Sequence, residues 1–118
     1  MISSGATNEG VPRIADEAAD KLGIRALGVT SEKAADFPLA KMNDIIVSGK
    51  DWGAESAIFL RTSDEVFVLG GGGQAEREAL AAATEFGKSV SVFEGYGGAA
   101  DKVAARQDPL IRVVTRKP

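Results

Sequence analysis

Four consecutive glycines, Gly70, Gly71, Gly72 and Gly73, are the residues of this chain whose type and spacing could do chemistry. They follow the apolar run at residues 66–69 and precede a segment of helical character that begins at Gln74. Glycines let the backbone approach a ligand with no Cβ in the way, and the first N–H groups of a helix attract an anion. The stretch therefore predicts a strand, a loop of phosphate size and a helix, with a nucleotide-like ligand.

The glycine run does not match either of the common nucleotide-binding patterns. In the G-x-G-x-x-G pattern the third glycine would stand at Ala75, and the Lys-Ser/Thr ending of a P-loop is missing. The alternative is a strand-to-helix turn whose glycines serve tight packing alone. Four glycines exceed what a turn needs, and each costs conformational entropy, so binding of phosphate or ribose is the favoured interpretation.

Acid-base chemistry in this chain falls to carboxylates, lysine or Tyr96, because the sequence contains no histidine and no cysteine. Their absence excludes a Ser-His-Asp triad and a thiol nucleophile, and it predicts that there is no transition-metal site. Glu76 and Glu78 fall in the first turn of the predicted helix, where the helix dipole favours negative charge. Glu78 could also accept a hydrogen bond from a ribose hydroxyl or act as a general base.

Tyr96 stands between two glycines in another glycine-rich loop, at residues 94–98. An aromatic ring in such a loop is hard to explain as part of the core. Base stacking or closure over a ligand is the alternative explanation. Three cations could neutralise a phosphate, although solvation at the surface is their ordinary role: Lys50, Arg61 and Arg77.

Apolar runs that alternate with helical periodicity indicate an α/β fold. Strands are predicted at residues 24–30, 44–48, 66–69, 89–93 and 110–114, and helices at 12–22, 51–62, 74–86 and 99–106, with an irregular loop and one helical turn at 31–43. Right-handed crossovers then predict three layers around one mostly parallel sheet of five or six strands. The carboxyl edge of that sheet would gather the candidate ligand-binding residues: Gly5, Thr7, Asn8, Thr30, Gly70, Gly71, Gly72, Gly73 and Gln74.

Length and charge restrict the remaining function classes. With 118 residues, the chain predicts one domain over residues 1–118. A net charge of −3 argues against a dedicated nucleic-acid binder, which usually carries a basic face. No run approaches the roughly 18 apolar residues of a membrane helix, and the first residues lack the features of a signal peptide. A cytoplasmic protein without a membrane partner is expected.

Four segments give the chain a resemblance to a known family: SGATNEGVP at residues 4–12, LGVT at 27–30, SDEVFVLGGGGQAERE at 63–78 and GKSV at 87–90. Together they resemble the Lonely Guy (LOG) family, often labelled lysine decarboxylase-like, and the wider set of SLOG-type Rossmann domains. The resemblance implies a Rossmann-like fold, a homodimer or larger assembly, and cleavage of a nucleoside 5′-monophosphate into base and ribose phosphate. It also implies that this chain starts where the family's second strand ends, so that the family's first strand and helix are missing from it.

The family signature P-G-G-x-G-T-x-x-E is only partly kept, over residues 70–78. Two glycines and the final Glu78 match, whereas the proline, the third glycine and the threonine do not. Glu55 stands where the resemblance places the arginine that works with the glutamate. Three functions therefore stay open: a nucleotide- or phosphoribosyl-binding protein that needs no other cofactor, a phosphoribohydrolase that uses Glu78, and a non-catalytic assembly module.

Overall fold

The computed structural model describes residues 1–5, 10–36, 38–39 and 44–115. Within these residues, strands and helices alternate as expected for an α/β protein: β1 (Ile2–Ser4), α1 (Gly10–Leu22), β2 (Ala26–Thr30), α2 (Glu32–Ala35), β3 (Asp44–Val47), α3 (Ser56–Arg61), β4 (Glu65–Leu69), α4 (Gly73–Thr84), β5 (Ser89–Glu94), α5 (Gly98–Ala105) and β6 (Ile111–Thr115). The chain forms two compact units, Met1–Phe59 and Leu60–Pro118. The single domain predicted from length stays a prediction.

The first unit contains a parallel sheet in the order β1-β2-β3. Its central strand β2 is buried along its whole length, as the uninterrupted apolar run ALGVT predicts for a strand covered on both faces. Helix α1 contacts β1 and β2 and ends at Leu22, and the next residue, Gly23, has a φ of +66° that suits glycine. The apolar stripe of α1 is only partly buried, because Ala19 is enclosed while Ile14 and Leu22 are exposed.

The second unit contains a parallel sheet in the order β4-β5-β6. Strand β4 alternates buried and exposed residues, so that Val66 and Val68 face the core. Helices α4 and α5 pack on this sheet and on each other. Their contact surfaces consist almost entirely of small residues, which lets backbones approach closely: Ala79, Ala82, Ala83, Ala99, Ala100, Val103 and Ala104.

The predicted α/β class with parallel strands is confirmed, but the arrangement of the strands differs from the prediction. Six strands occur among the described residues, and they form two sheets of three strands where one sheet of five or six was expected. Apolar runs indicate where strands lie along the chain. They carry no information about which parallel strands exchange hydrogen bonds, since that pairing is made between residues distant in sequence.

The helix predicted over residues 51–62 is shorter than expected and begins at Ser56. The preceding residues form turns, in which the Ala54 N–H donates to the Asp51 carbonyl oxygen at 3.1 Å. Gly53 has a φ of +87°, which a right-handed helix cannot contain. The single helical turn expected within residues 31–43 is α2, where the Ser31 hydroxyl accepts a hydrogen bond from the Ala34 N–H at 3.2 Å.

Candidate functional site

The glycine loop, residues 70–73, connects β4 to α4 as the sequence predicts. Gly70 and Gly71 have φ values of +56° and +88°, in the region that favours glycine. A Cβ at Gly71 would also lie 2.7 Å from the Cβ of Ala75, a distance that packed carbon atoms do not adopt. The first half of the glycine loop is therefore held by backbone conformation and close packing.

The carbonyl groups of the glycine loop accept hydrogen bonds from the start of α5. The Ala99 N–H donates to the Gly71 oxygen and the Ala100 N–H donates to the Gly70 oxygen, both at 2.9 Å. Gly98 makes this approach feasible, because a Cβ there would lie 2.7 Å from the Gly71 oxygen. These two N–H groups, which have no acceptor inside α5, are thus satisfied by the protein itself.

The start of α4 has a different environment. Its N-cap is Gly72, in an extended conformation with φ −105° and ψ −162°, and it has no side chain that could cap the helix. An ideal Cβ at Gly72 would have no heavy atom of the described residues within 4 Å. Gly71, Gly72 and Gly73 are all exposed. The N-terminus of this 12-residue helix is therefore accessible to a ligand, and it carries the positive end of the helix dipole.

The charged side chains of α4 are arranged one helical turn below this loop. Arg77 extends back toward the start of the helix, so that its Nη1 lies 3.4 Å from an ideal Cβ at Gly73. Glu76 is in the first turn, as predicted, whereas Glu78 is in the second turn, because the helix begins at Gly73. Glu78 is half-buried and lies four residues after Gln74, on the same side of the helix.

The loop that carries Tyr96 is held by a side chain that sequence reasoning did not identify. Asp101, in the first turn of α5, accepts hydrogen bonds from the Gly95 N–H at 2.9 Å and from the Gly97 N–H at 3.2 Å. One carboxylate oxygen serves each donor. Tyr96 stands between these two anchors and is 57% exposed. A carboxylate four residues after a glycine at a helix start is the signal that could have revealed the contact.

The remaining predicted ligand-binding residues belong to the first unit or fall outside the described residues. Gly5 follows β1 and Thr30 ends β2, so both lie at the carboxyl edge of that sheet. Thr30 is 1% exposed, and its carbonyl oxygen accepts a hydrogen bond from the Ser48 N–H at 2.8 Å. Thr7 and Asn8 lie outside the described residues. A ligand contact by any of the four stays a prediction.

Glu55 is buried, with 6% exposure, in the turn that precedes α3. This is the position at which the resemblance places the partner arginine of Glu78. A carboxylate cannot replace a guanidinium as a phosphate ligand, because the carboxylate and the phosphate are both negatively charged and repel each other.

Comparison with solved structures supports the fold. The chain is similar to TM1055, a structural-genomics target determined by X-ray crystallography, with a TM-score of 0.81 and 21% sequence identity. The match covers 96% of this chain and 69% of that one. At this identity the likeness shows a Rossmann-like α/β fold and carries no information on activity.

No family model matches the sequence, and no curated protein matches it. Among the described residues, no helix is long and apolar enough to cross a membrane.

Proposed function

We propose that this protein binds a nucleotide or a phosphoribosyl compound, with the phosphate held at the glycine loop by the start of α4. One observation carries the proposal. Both helices that follow glycine loops in the second unit have an exposed glycine N-cap without a side-chain cap, but the N–H groups of Ala99 and Ala100 at α5 donate to carbonyl oxygens of the glycine loop, whereas Gly72 at α4 borders open space among the described residues. Backbone N–H groups of Gly72, Gly73 and Gln74 would donate to the phosphate oxygens.

Arg77 supports this assignment, because its guanidinium lies beside Gly73 at the same end of the helix. A cation at the positive end of a helix dipole is unfavourable on its own. A bound phosphate dianion would reverse that penalty and would accept charge-assisted hydrogen bonds from the guanidinium. The net charge of −3 excludes a general attraction of anions to the whole chain, so the binding has to come from this local arrangement.

A thermal-shift titration tests the proposal, with AMP, GMP, ADP, NAD, ADP-ribose and ribose 5-phosphate as ligands. A ligand at 100 times its Kd adds about 2.7 kcal/mol to the free energy of unfolding, which raises the midpoint by several degrees in a chain of this size. Adenosine serves as the control, because it lacks the phosphate. A concentration-dependent shift with a phosphorylated ligand and none with adenosine is the expected result. No shift at millimolar concentrations of any of them would contradict the proposal.

The second candidate function is hydrolysis of the N-glycosidic bond of a nucleoside 5′-monophosphate. It is favoured by the place of Glu78, half-buried and one turn from Gln74 at the glycine loop, where the resemblance to the LOG family puts the acidic residue. Glu78 would stabilise the positive charge that develops on the ribose, and water would supply a hydroxyl group to the anomeric carbon of ribose 5-phosphate and a proton to the released base.

Chromatography of the free base after incubation with AMP or GMP tests this candidate. If Glu78 acts on the reacting bond, wild-type protein releases base, and Glu78→Gln lowers the rate at least 100-fold while the affinity for the nucleotide stays within about threefold. Glu76→Gln is the matched control, since that carboxylate is in the first turn of the same helix. Absence of base release from the wild type, with binding intact, would leave binding as the function.

A homodimer or larger assembly is proposed on separate grounds. The outer strand β3 is exposed along its whole length although it carries Ile45, Ile46 and Val47. Apolar strands at the edge of a sheet are normally covered, and a second copy of the chain would cover this one. Light scattering after size exclusion should give a multiple of 12.2 kDa, and Ile46→Lys should shift the protein toward the monomer. A wild-type monomer at all concentrations would refute this assembly.

A further inference from the structure

We infer that Tyr96 forms a stacking platform for the aromatic base of the ligand and that Asp101 is the residue that positions it. This inference rests on the proposed function and narrows it. The ligand would be a compound with both a phosphate and a planar base, and ribose 5-phosphate alone would fill only part of the site.

The connection between the two loops supports this inference. Gly98 lies directly against the glycine loop, because a Cβ built on it would be 3.0 Å from the Cα of Gly70 and 2.7 Å from the Gly71 oxygen. Tyr96 is two residues before Gly98, so their Cα atoms are at most about 8 Å apart. The side chain of Tyr96 therefore starts within one nucleoside length of the loop proposed to hold the phosphate.

The ring is exposed, yet the backbone that carries it is fixed. Both peptide N–H groups that flank Tyr96, those of Gly95 and Gly97, donate to the carboxylate of Asp101. Asp101 itself belongs to α5, whose first turn is bonded to the carbonyl oxygens of the glycine loop. A ligand that stacks on the exposed ring gains from this anchoring, since the loop is ordered before binding and its entropy is not lost again.

Asp101 acts through the loop and does not contact the ligand. Loss of its carboxylate would free the two glycine N–H groups, and the glycines on either side of Tyr96 have no side chains that could hold the turn in its place. The consequence is specific: affinity for the base should fall while affinity for the phosphate stays unchanged. A structural defect of the whole unit would lower both.

Isothermal titration with three probes, AMP, GMP and ribose 5-phosphate, tests the inference. Wild-type protein should bind at least one of the two nucleotides about 5- to 100-fold more tightly than ribose 5-phosphate. Tyr96→Ala should remove that difference and leave the ribose 5-phosphate affinity within twofold, whereas Tyr96→Phe should keep it. Asp101→Ala should reproduce the Tyr96→Ala pattern, and Asp101→Asn should give an intermediate loss because the amide offers one acceptor oxygen.

Two results would overturn the inference while the proposed function stands. The first is equal binding of the nucleotides and ribose 5-phosphate by the wild type. The second is a Tyr96→Ala variant that still prefers the nucleotide. If none of the three probes binds, the proposed function fails together with the inference. Because Tyr96 is exposed, its variants should fold normally and give a decisive answer even if Asp101→Ala does not fold.

Discussion

The starts of α4 and α5 follow neighbouring parallel strands, and each is preceded by a run of glycines, but their hydrogen bonding differs. At α5, the N–H groups of Ala99 and Ala100 are satisfied by carbonyl oxygens of the glycine loop. At α4, the N-cap Gly72 offers no side-chain acceptor, as is also true of Gly97 at α5, and the space beside Gly72 is open among the described residues. The glycine loop therefore caps α5 with its carbonyl groups, while the helix that follows it directly, α4, has a start that is accessible to an anion.

This comparison separates two reasons for a glycine that look alike in a sequence. Gly71 and Gly98 are required by the protein, because positive φ values and contacts below 3 Å exclude a Cβ. Gly72 is required by neither, since its backbone is in a conformation that any residue adopts and nothing would touch its Cβ. Because the fold does not need a glycine at position 72, a substitution there tests whether ligand binding needs one.

The largest effect on stability is expected for Gly98→Ala, which disrupts the contact between Gly98 and the glycine loop. The positive φ costs about 1–2 kcal/mol for alanine and the clash with the Gly71 carbonyl costs a similar amount, so the free energy of unfolding should fall by about 3 kcal/mol. Urea denaturation measures this change. Gly87→Ala is the matched control, because Gly87 has a φ of +59° and an unobstructed Cβ direction. It should cost only the positive-φ penalty of about 1–2 kcal/mol, and an equal loss in both variants would show that the contact with Gly71 is unimportant.

A smaller effect is expected for Arg77→Gln, which changes the charge at the accessible helix start. Loss of a charge-assisted hydrogen bond should weaken binding of a phosphorylated ligand about 10-fold, with little change in stability because Arg77 is exposed. The effect should shrink at high salt, where the charge is screened. Titration calorimetry measures it, with Arg112→Gln as the control, since Arg112 is an exposed arginine on β6 of the same unit. Equal losses in the two variants would remove Arg77 from the site.

The elements of this fold are largely readable from the sequence, because helical periodicity and glycines are local signals. The helix predicted over residues 74–86 occurs as α4, Gly87 follows it with a positive φ, and the one predicted over 99–106 occurs as α5. The pairing of strands into two sheets was not readable, since parallel partners are far apart in the chain. The hydrogen bonds between the start of α5 and the glycine loop could not be predicted from the sequence either, because they join backbone groups of residues about 30 positions apart.

The site shows the same limit. Sequence patterns selected the glycine loop and Tyr96 as candidates, because their residue types are unusual in their places. They did not identify Asp101, which looks like any acidic residue in a first helical turn and is revealed only by its two glycine donors. Nor could they distinguish Gly71 from Gly72, since that difference depends on what surrounds each Cα.

The most direct test of this account is the binding of AMP and GMP by Gly72→Ala, measured by calorimetry together with urea denaturation. Alanine fits the backbone and the free space at this position, so the free energy of unfolding should stay within about 1 kcal/mol of the wild type. Its Cβ would occupy the space assigned to the phosphate, so affinity should fall at least 10-fold. A Gly72→Ala protein that binds these nucleotides as tightly as the wild type would contradict the account, because the start of α4 would then not hold the phosphate.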